Sequence, residues 1–369
     1  MKKLGFGCMR LPLLNKDDQT SIDLEQFKKM VDIFMKRGFT YYDTAYVYHN
    51  GRSEGALKEA LVKRYPREAF TITDKMPMFI VNKEEDLERI FNEQLTRLGV
   101  DHFDYYWLHA LNRTQYVKVQ KMKAFEFIAQ KKKEGKTVHI GFSFHDTPEV
   151  LKQILDDHPE VEYVQLQLNY LDWEDTDVRA KECYDVAVQH GKKVIVMEPV
   201  RGGKLATLPE ESAEVLKKLD PQASPASWAI RYAASKEEVI MVLSGMSNIA
   251  QVEDNTSYME DFKPLNEEED KALYKAKELL KPYLSILCTA CHYCTPGCPK
   301  KIAIPEYFEI LSENQWNGRK KSQEAYQKLV DSGKGKASAC IKCGQCEKAC
   351  PQHLQIRKLL TEVVEKIEK

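Results

Sequence analysis

The sequence has no run of about 18 consecutive apolar residues such as a membrane-spanning helix needs, no excess of charge of either sign, and little glycine or proline. Each shortage removes a class of protein. With 17 Gly and 15 Pro in 369 residues, collagen-like and low-complexity chains are excluded. Lys and Arg total 55 against 56 Asp and Glu, a formal net charge of -1, so no overall field draws nucleic acid or an anionic membrane surface. The N-terminal MKKLGFGCMRLPLL opens with two lysines but breaks its apolar stretch with Gly5, Gly7, Cys8 and Arg10, and so reads as a buried strand rather than an export signal. A soluble cytoplasmic protein is expected, with neither nucleic acid nor membrane as partner. The Gly-x-Gly-x-x-Gly fingerprint of an open dinucleotide-binding sheet is also missing after the first strand, and Gly5 and Gly7 are expected simply to let that strand pack tightly.

What is present is regular alternation. Short β-rich runs begin at Leu4, Phe39, Ala69, Phe103, Thr137, Glu162, Lys193 and Glu238. Between them lie segments such as LEQFKKMVDIFMKRG and DLERIFNEQLTRLG, whose apolar residues recur at three and four and which close on Gly38 and Gly99, as helices with a glycine cap do. Eight strand-helix pairs in about 260 residues predict an α/β fold of the closed (β/α)8, or TIM-barrel, type. The expected organisation is a barrel over residues 1–264, a charged helical connector over 265–284 capped by Asn266, and a small mainly helical domain over 285–369.

Eight of the ten cysteines fall in that last domain, in CTACHYCTPGCP and CIKCGQCEKACP. Each run is C-x2-C-x2-C-x3-C-P, the spacing that wraps three thiolates round one iron-sulfur cubane and sends the fourth to its neighbour. The prediction is two [4Fe-4S] clusters. One takes Cys288, Cys291, Cys294 and Cys350; the other takes Cys340, Cys343, Cys346 and Cys298. Structural zinc is the alternative, but zinc sites favour two cysteine pairs on a longer loop. His292 and His353 beside the ligands read as solvent-facing or hydrogen-bonding neighbours. The helical segments between the runs make the domain resemble the helical kind of two-cluster ferredoxin.

In the barrel, the segment YYDTAYVYHNGRSEGAL resembles the Asp-Thr-Ala-x-x-Tyr signature of the aldo-keto reductase superfamily. Lys75 in TITDKMP and His109 in YYWLHAL fall at the ends of the next two strands, where this fold builds its sites. The resemblance implies a catalytic set of Asp43, Tyr48, Lys75 and His109. Tyr48 would give a proton to a carbonyl oxygen, Lys75 would make that proton easier to give, Asp43 would hold Lys75, and His109 would orient the substrate. It also implies NADP(H) or NAD(H) across the barrel mouth, its amide on Ser143 and Gln165 and its adenosine phosphate end on Ser244, Gly245, Ser247, Gln251 and Asn255.

Two departures from the family weaken the NADP assignment and keep a flavin among the expected cofactors. Met197 stands where many members stack a tyrosine on nicotinamide, and no basic residue lies near Gln251. The Arg201-Gly202-Gly203 loop reads either as a pyrophosphate contact or as a tight turn. The whole chain resembles bacterial aldo-keto reductases with an appended dicluster domain. The expected activity is NAD(P)H-linked reduction of an aldehyde or ketone, or its reverse on an alcohol, coupled through the clusters to a redox partner protein. The alternative is an electron-transfer protein whose barrel is a flavin-binding or docking scaffold.

Overall fold

The computed structural model describes residues 2–16, 18–284 and 286–369, with residues 315–317 described in their backbone only. Contacts divide the chain into two compact units: residues 1–200 with 226–270, and residues 201–225 with 271–369.

In the first unit all eight expected strands form: β1 (Leu4–Gly7), β2 (Tyr41–Asp43), β3 (Thr71–Met76), β4 (Phe103–Leu111), β5 (Thr137–Phe144), β6 (Tyr163–Gln167), β7 (Lys193–Met197) and β8 (Val239–Ser244). They close in sequence order, every pair parallel, with β8 returning to β1. The helices form where the periodicity puts them. In Leu24–Lys36, Asp23 caps the N-terminus by accepting from Gln26 N at 3.0 Å, and Phe27, Met30, Val31 and Phe34 make the buried stripe. The rings of Phe27 and Phe34 lie 5.6 and 5.4 Å from that of Phe6 on β1, and burying such a side chain contributes about 1.5–3 kcal/mol. The helix Glu85–Leu98 ends where Gly99 turns left-handed, φ 73°, a conformation that costs glycine nothing.

Alternation along each strand sorts side chains to opposite faces. Tyr41, Tyr105, Trp107, Ile195, Met241 and Leu243 pack together as a buried cluster inside the barrel. A methyl group on Gly141 would stand 2.6 Å from the Trp107 ring, so glycine there makes room for the indole. Two residues further along the same inward faces come Asp43, Lys75, His109, Ser143, Gln165 and Met197. Above this largely aromatic floor, the ionisable pair Asp43 and Lys75 and the imidazole of His109 lie at the C-terminal mouth.

The second unit is mainly helical, including Glu210–Lys217, Ile304–Asn317, Arg319–Asp331 and Ile356–Val363. Its core joins Ile302, Tyr307, Phe308, Tyr326, Ile356, Leu360 and Val363 to Cys294 and Cys346. A parallel bridge between Ile302 and Gly335 brings the backbone following the first cysteine run against the backbone preceding the second. Any side chain at Gly335 would meet the Lys300 carbonyl at 1.9 Å. No helix among the described residues is long and apolar enough to cross a membrane.

Candidate functional site

At the barrel mouth Lys75 is 1% and Asp43 3% exposed. The Lys75 ammonium donates to Asp43 Oδ1 at 2.5 Å and to the Thr44 carbonyl at 2.6 Å. The other Asp43 oxygen accepts from Gln165 Nε2 at 3.5 Å. Burial pushes the Asp43 carboxyl up, and the adjacent ammonium opposes it. From the outer side of β3, Gln94 donates to the Lys75 carbonyl at 3.0 Å and Asp74 Oδ1 accepts from the Lys75 N–H at 2.8 Å, so the strand end carrying the lysine is fixed from both faces.

Tyr48 and His109 complete the group. Lys75 Nζ lies 5.0 Å from the centre of the Tyr48 ring, and the His109 ring meets Tyr48 edge-on at 5.9 Å. Burial, with the nearby Asp43 charge adding to it, raises the Tyr48 phenol well above its ordinary pKa. Burial, reinforced by Lys75, lowers His109 well below the usual histidine range. Both shifts favour the uncharged forms, the phenol of Tyr48 and the neutral imidazole of His109. Phe79, 40% exposed, packs on His109 at 5.7 Å. The sequence reading passed over it because it lies beyond β3 in a segment without periodicity.

The residues expected to hold a nicotinamide cofactor fall into two sets. Ser143 is buried and accepts from the Ala110 N–H at 2.8 Å, which leaves its hydroxyl proton to donate. At the far end of β8, Ser244 accepts from Asn255 Nδ2 at 2.7 Å, and Tyr258 donates to Asn255 Oδ1 at 2.7 Å. Gln251 accepts from Ser247 N at 2.7 Å. These amides hold the loop's shape. Ser247 Oγ donates to the Arg10 carbonyl at 2.8 Å, and a methyl group on Gly245 would lie 3.3 Å from Arg10 Cβ. Arg10 thus stands beside this loop, a basic residue that a search along the sequence near Gln251 misses. The pairing of β1 with β8 was the signal for it.

The tail cysteines form two groups. Cys294 lies in the electrostatic neighbourhood of Cys291, Cys288 and Cys350, and burial raises its thiol. Cys298, Cys340, Cys343 and Cys346 line one cavity together with Gly297, Gln345 and Arg357. Left-handed residues punctuate both runs: Ala290 (φ 49°) and His292 (φ 61°) in the first, Lys342 (φ 57°) and Gly344 (φ 76°) in the second. Such turns aim successive backbone N–H groups into a concavity suited to an anion, and Ala290 N already donates to Cys288 Sγ at 3.4 Å. No three acidic, His or Cys side chains among the described residues converge on the position of a single ion; a cubane needs no such convergence, since each thiolate takes a different iron. Donor set, grouping and backbone all fit two iron-sulfur cubanes.

The Arg201-Gly202-Gly203 loop belongs to this second unit. Arg201 Nη1 donates to the Leu287 carbonyl at 3.2 Å, Lys204 Nζ to the Ile286 carbonyl at 2.9 Å, and a side chain on Gly202 would meet the Thr289 carbonyl at 2.2 Å. With Gly202 at φ 66°, the tight-turn reading describes what this loop does here.

Comparison with known proteins follows the same division. Residues 3–278 match the model of the aldo/keto reductase family, and residues 287–354 match a 4Fe-4S dicluster domain. An uncharacterized oxidoreductase, YqkF, of Bacillus subtilis is 24% identical over 74% of this chain and 92% of its own length. A 9,11-endoperoxide prostaglandin H2 reductase of Trypanosoma cruzi is 24% identical over 74% and 90%. Among solved structures, an aldo-keto reductase of Klebsiella pneumoniae in complex with NADP and acetate superposes with a TM-score of 0.59 at 20% identity, covering 75% of this chain and 91% of that one. The holo form of aldo-keto reductase AKR11C1 from Bacillus halodurans gives 0.58 at 24% identity, covering 74% and 91%. A barrel closed over a buried Lys-Asp pair and a tail of paired cysteine runs agree with both family models: the chain belongs to the aldo/keto reductase family, carries a 4Fe-4S dicluster domain after its reductase domain, and is an oxidoreductase.

Proposed function

We propose that the protein reduces an aldehyde or ketone with NAD(P)H, or catalyses the reverse on an alcohol, with Tyr48 as general acid, and that its two [4Fe-4S] clusters exchange electrons with a partner protein. The observation that carries this reading is the buried Lys75–Asp43 pair set against Tyr48 and His109. When bound, nicotinamide supplies a hydride and each cluster a one-electron step.

The chain's own residues do the rest. Tyr48 holds its proton until negative charge develops on the substrate oxygen, then passes it there. Lys75, locked by Asp43 and the Thr44 carbonyl, stabilises the phenolate left behind. Neutral His109 orients the carbonyl by a hydrogen bond. Ser143 and Gln165 would hold the carboxamide of the cofactor, and the loop from Ser244 to Asn255, with Arg10 beside it, would take the phosphate end. That arginine and the NADP complex of the Klebsiella relative support NADP(H); no observation favours a flavin. In the tail, Cys288, Cys291, Cys294 and Cys350 would hold one cluster and Cys298, Cys340, Cys343 and Cys346 the other, within a cluster domain over 285–369.

Two consequences test the barrel part. Because His109 is lowered and Tyr48 raised, His109 protonates only below the ordinary histidine value of about 6.5 and Tyr48 ionises only above about 10. The pH profile of kcat/KM for carbonyl reduction should therefore be flat from about pH 6.5 to 9; a limb near 6.5 that vanishes in His109→Gln would contradict it. Replacing Arg10 by Ala removes a charge-assisted contact worth about 1.5–3 kcal/mol. It should raise KM for NADPH about tenfold or more and leave that for NADH little changed, whereas equal changes would remove Arg10 from phosphate recognition.

The whole reading is tested by anaerobic purification, assay of iron, sulfide and flavin, and titration with NADPH while cluster and nicotinamide absorbance are followed together. About eight irons per chain with bleaching of the clusters means one electron circuit, and requires a bound group that divides the hydride's two electrons, for which the flavin assay tests. The same iron without bleaching leaves a carbonyl reductase whose clusters serve another partner or the fold.

A further inference from the structure

The surroundings of the two cysteine groups differ in charge. Residues 288–369 carry 14 Lys and Arg against 9 Asp and Glu, in a chain whose totals are 55 and 56, so the tail is basic and the remainder acidic. Much of that charge gathers at the second cysteine group. Lys300 and Arg357 line its cavity, Lys301 follows directly, Lys342 lies between Cys340 and Cys343, and Lys348 is two residues from Cys346; all four lysines are exposed. The nearest carboxylate, Glu347, is paired with Arg357 at 2.6 Å. Cys343 is itself exposed, beside Ile341 at 58%. The first group is set differently: none of Cys288, Cys291, Cys294 and Cys350 is exposed, and Glu306 and Lys204 stand in the electrostatic neighbourhood of Cys288.

We propose that the face around Cys343 docks a small acidic one-electron carrier protein, and that electrons pass there between the carrier and the second cluster. This rests on the reading that Cys298, Cys340, Cys343 and Cys346 hold a cluster. An exposed ligand brings the cluster to the surface, where a carrier's redox centre can approach closely. Among the described residues these four lysines pair with no carboxylate, and Ile341 gives a desolvatable contact at the centre of the face. Opposite charge on the carrier steers encounter and fixes orientation. Each event moves one electron and no proton: the reduced cluster loses an electron and the oxidised carrier gains it.

The test uses the full-length protein, purified without oxygen, its clusters reduced with dithionite and the excess removed. It is mixed in a stopped flow with oxidised flavodoxin as the acidic probe, basic cytochrome c as the opposite, and a neutral quinone as a reporter of cluster redox. The expected result is a flavodoxin rate constant that falls about tenfold or more as salt rises through the screening range, and falls about as much at low salt in Lys342→Glu/Lys348→Glu, while the quinone rate stays unchanged. The milder Lys342→Gln/Lys348→Gln pair should lie between, and serves if the glutamate variant folds poorly. A salt-independent flavodoxin rate, a faster reaction with cytochrome c in the unaltered protein, or a cluster potential that moves in the variants with no change in salt dependence would overturn the proposal; the last would mean that the lysines only balance cluster charge. Tight binding of a single-stranded DNA oligonucleotide that blocks flavodoxin would also overturn it, in favour of a nucleic-acid face. Iron content and the paramagnetic signals of the reduced protein separate the two levels: a missing second cluster defeats the ligand reading, whereas both clusters with no charge-dependent transfer defeats only the docking surface.

Discussion

Tyr48→Phe should lower kcat for carbonyl reduction about 100- to 10,000-fold while leaving KM for the nicotinamide within about twofold. That loss corresponds to about 3–5 kcal/mol of transition-state stabilisation, the contribution of one proton delivered in place. The phenylalanine fills the same volume, so the edge-on contact with His109 and the packing around Lys75 survive, and what disappears is the proton. Steady-state kinetics with a simple aldehyde, beside a melting curve showing unchanged stability, is the measurement. Turnover that survives the substitution would mean that the barrel is a scaffold and the electron-transfer reading of the sequence is the better one.

The second large effect concerns how the cysteine runs are shared. Cys350→Ala should remove the cluster assigned to the first run, even though Cys350 belongs to the second, and iron should fall from about eight to about four per chain. Its spectrum should match that of Cys294→Ala, and the spectrum of Cys298→Ala should match that of Cys346→Ala. The proximity of Cys350 to Cys294 and Cys288, and the cavity that Cys298 shares with Cys340, Cys343 and Cys346, are the grounds. If Cys350→Ala instead resembles Cys346→Ala, each run serves its own cluster. Serine variants, which keep an oxygen donor, give the same comparison should the alanine variants fail to fold.

The barrel could be read from the sequence because its signals are local: a period of two in the strands, three and four in the helices, and glycines such as Gly99 where a left-handed turn is needed. The choice of Asp43, Lys75 and His109 came from the resemblance to the aldo-keto reductase signature; the regularity explains why they meet, since successive strand ends in a closed barrel share one mouth. What stayed hidden depends on closure over long distances. Arg10 reaches the loop after β8 only because β1 and β8 are neighbours, and Lys300 lines the cavity of the second cysteine group only because the chain after the first run returns to the second. Arg201 read as a residue of the barrel because it follows β7 by a few positions. Its partner is the Leu287 carbonyl, 86 residues further on, and no local pattern carries that information.

The loop after β7 also bears on inheritance and synthesis. Residues 201–225 belong with 271–369, so the cluster-bearing unit is not a cassette that could be cut off behind an otherwise finished reductase. A gene fragment beginning at residue 285 encodes the thiolates without the segment that hydrogen-bonds to their approach, and one ending there encodes a loop with no carbonyls to receive it. During translation Arg201 and Lys204 leave the ribosome long before Ile286 and Leu287 exist. The second unit can finish folding only after the chain has returned to a piece of itself made much earlier, and iron can be loaded into completed sites only after that.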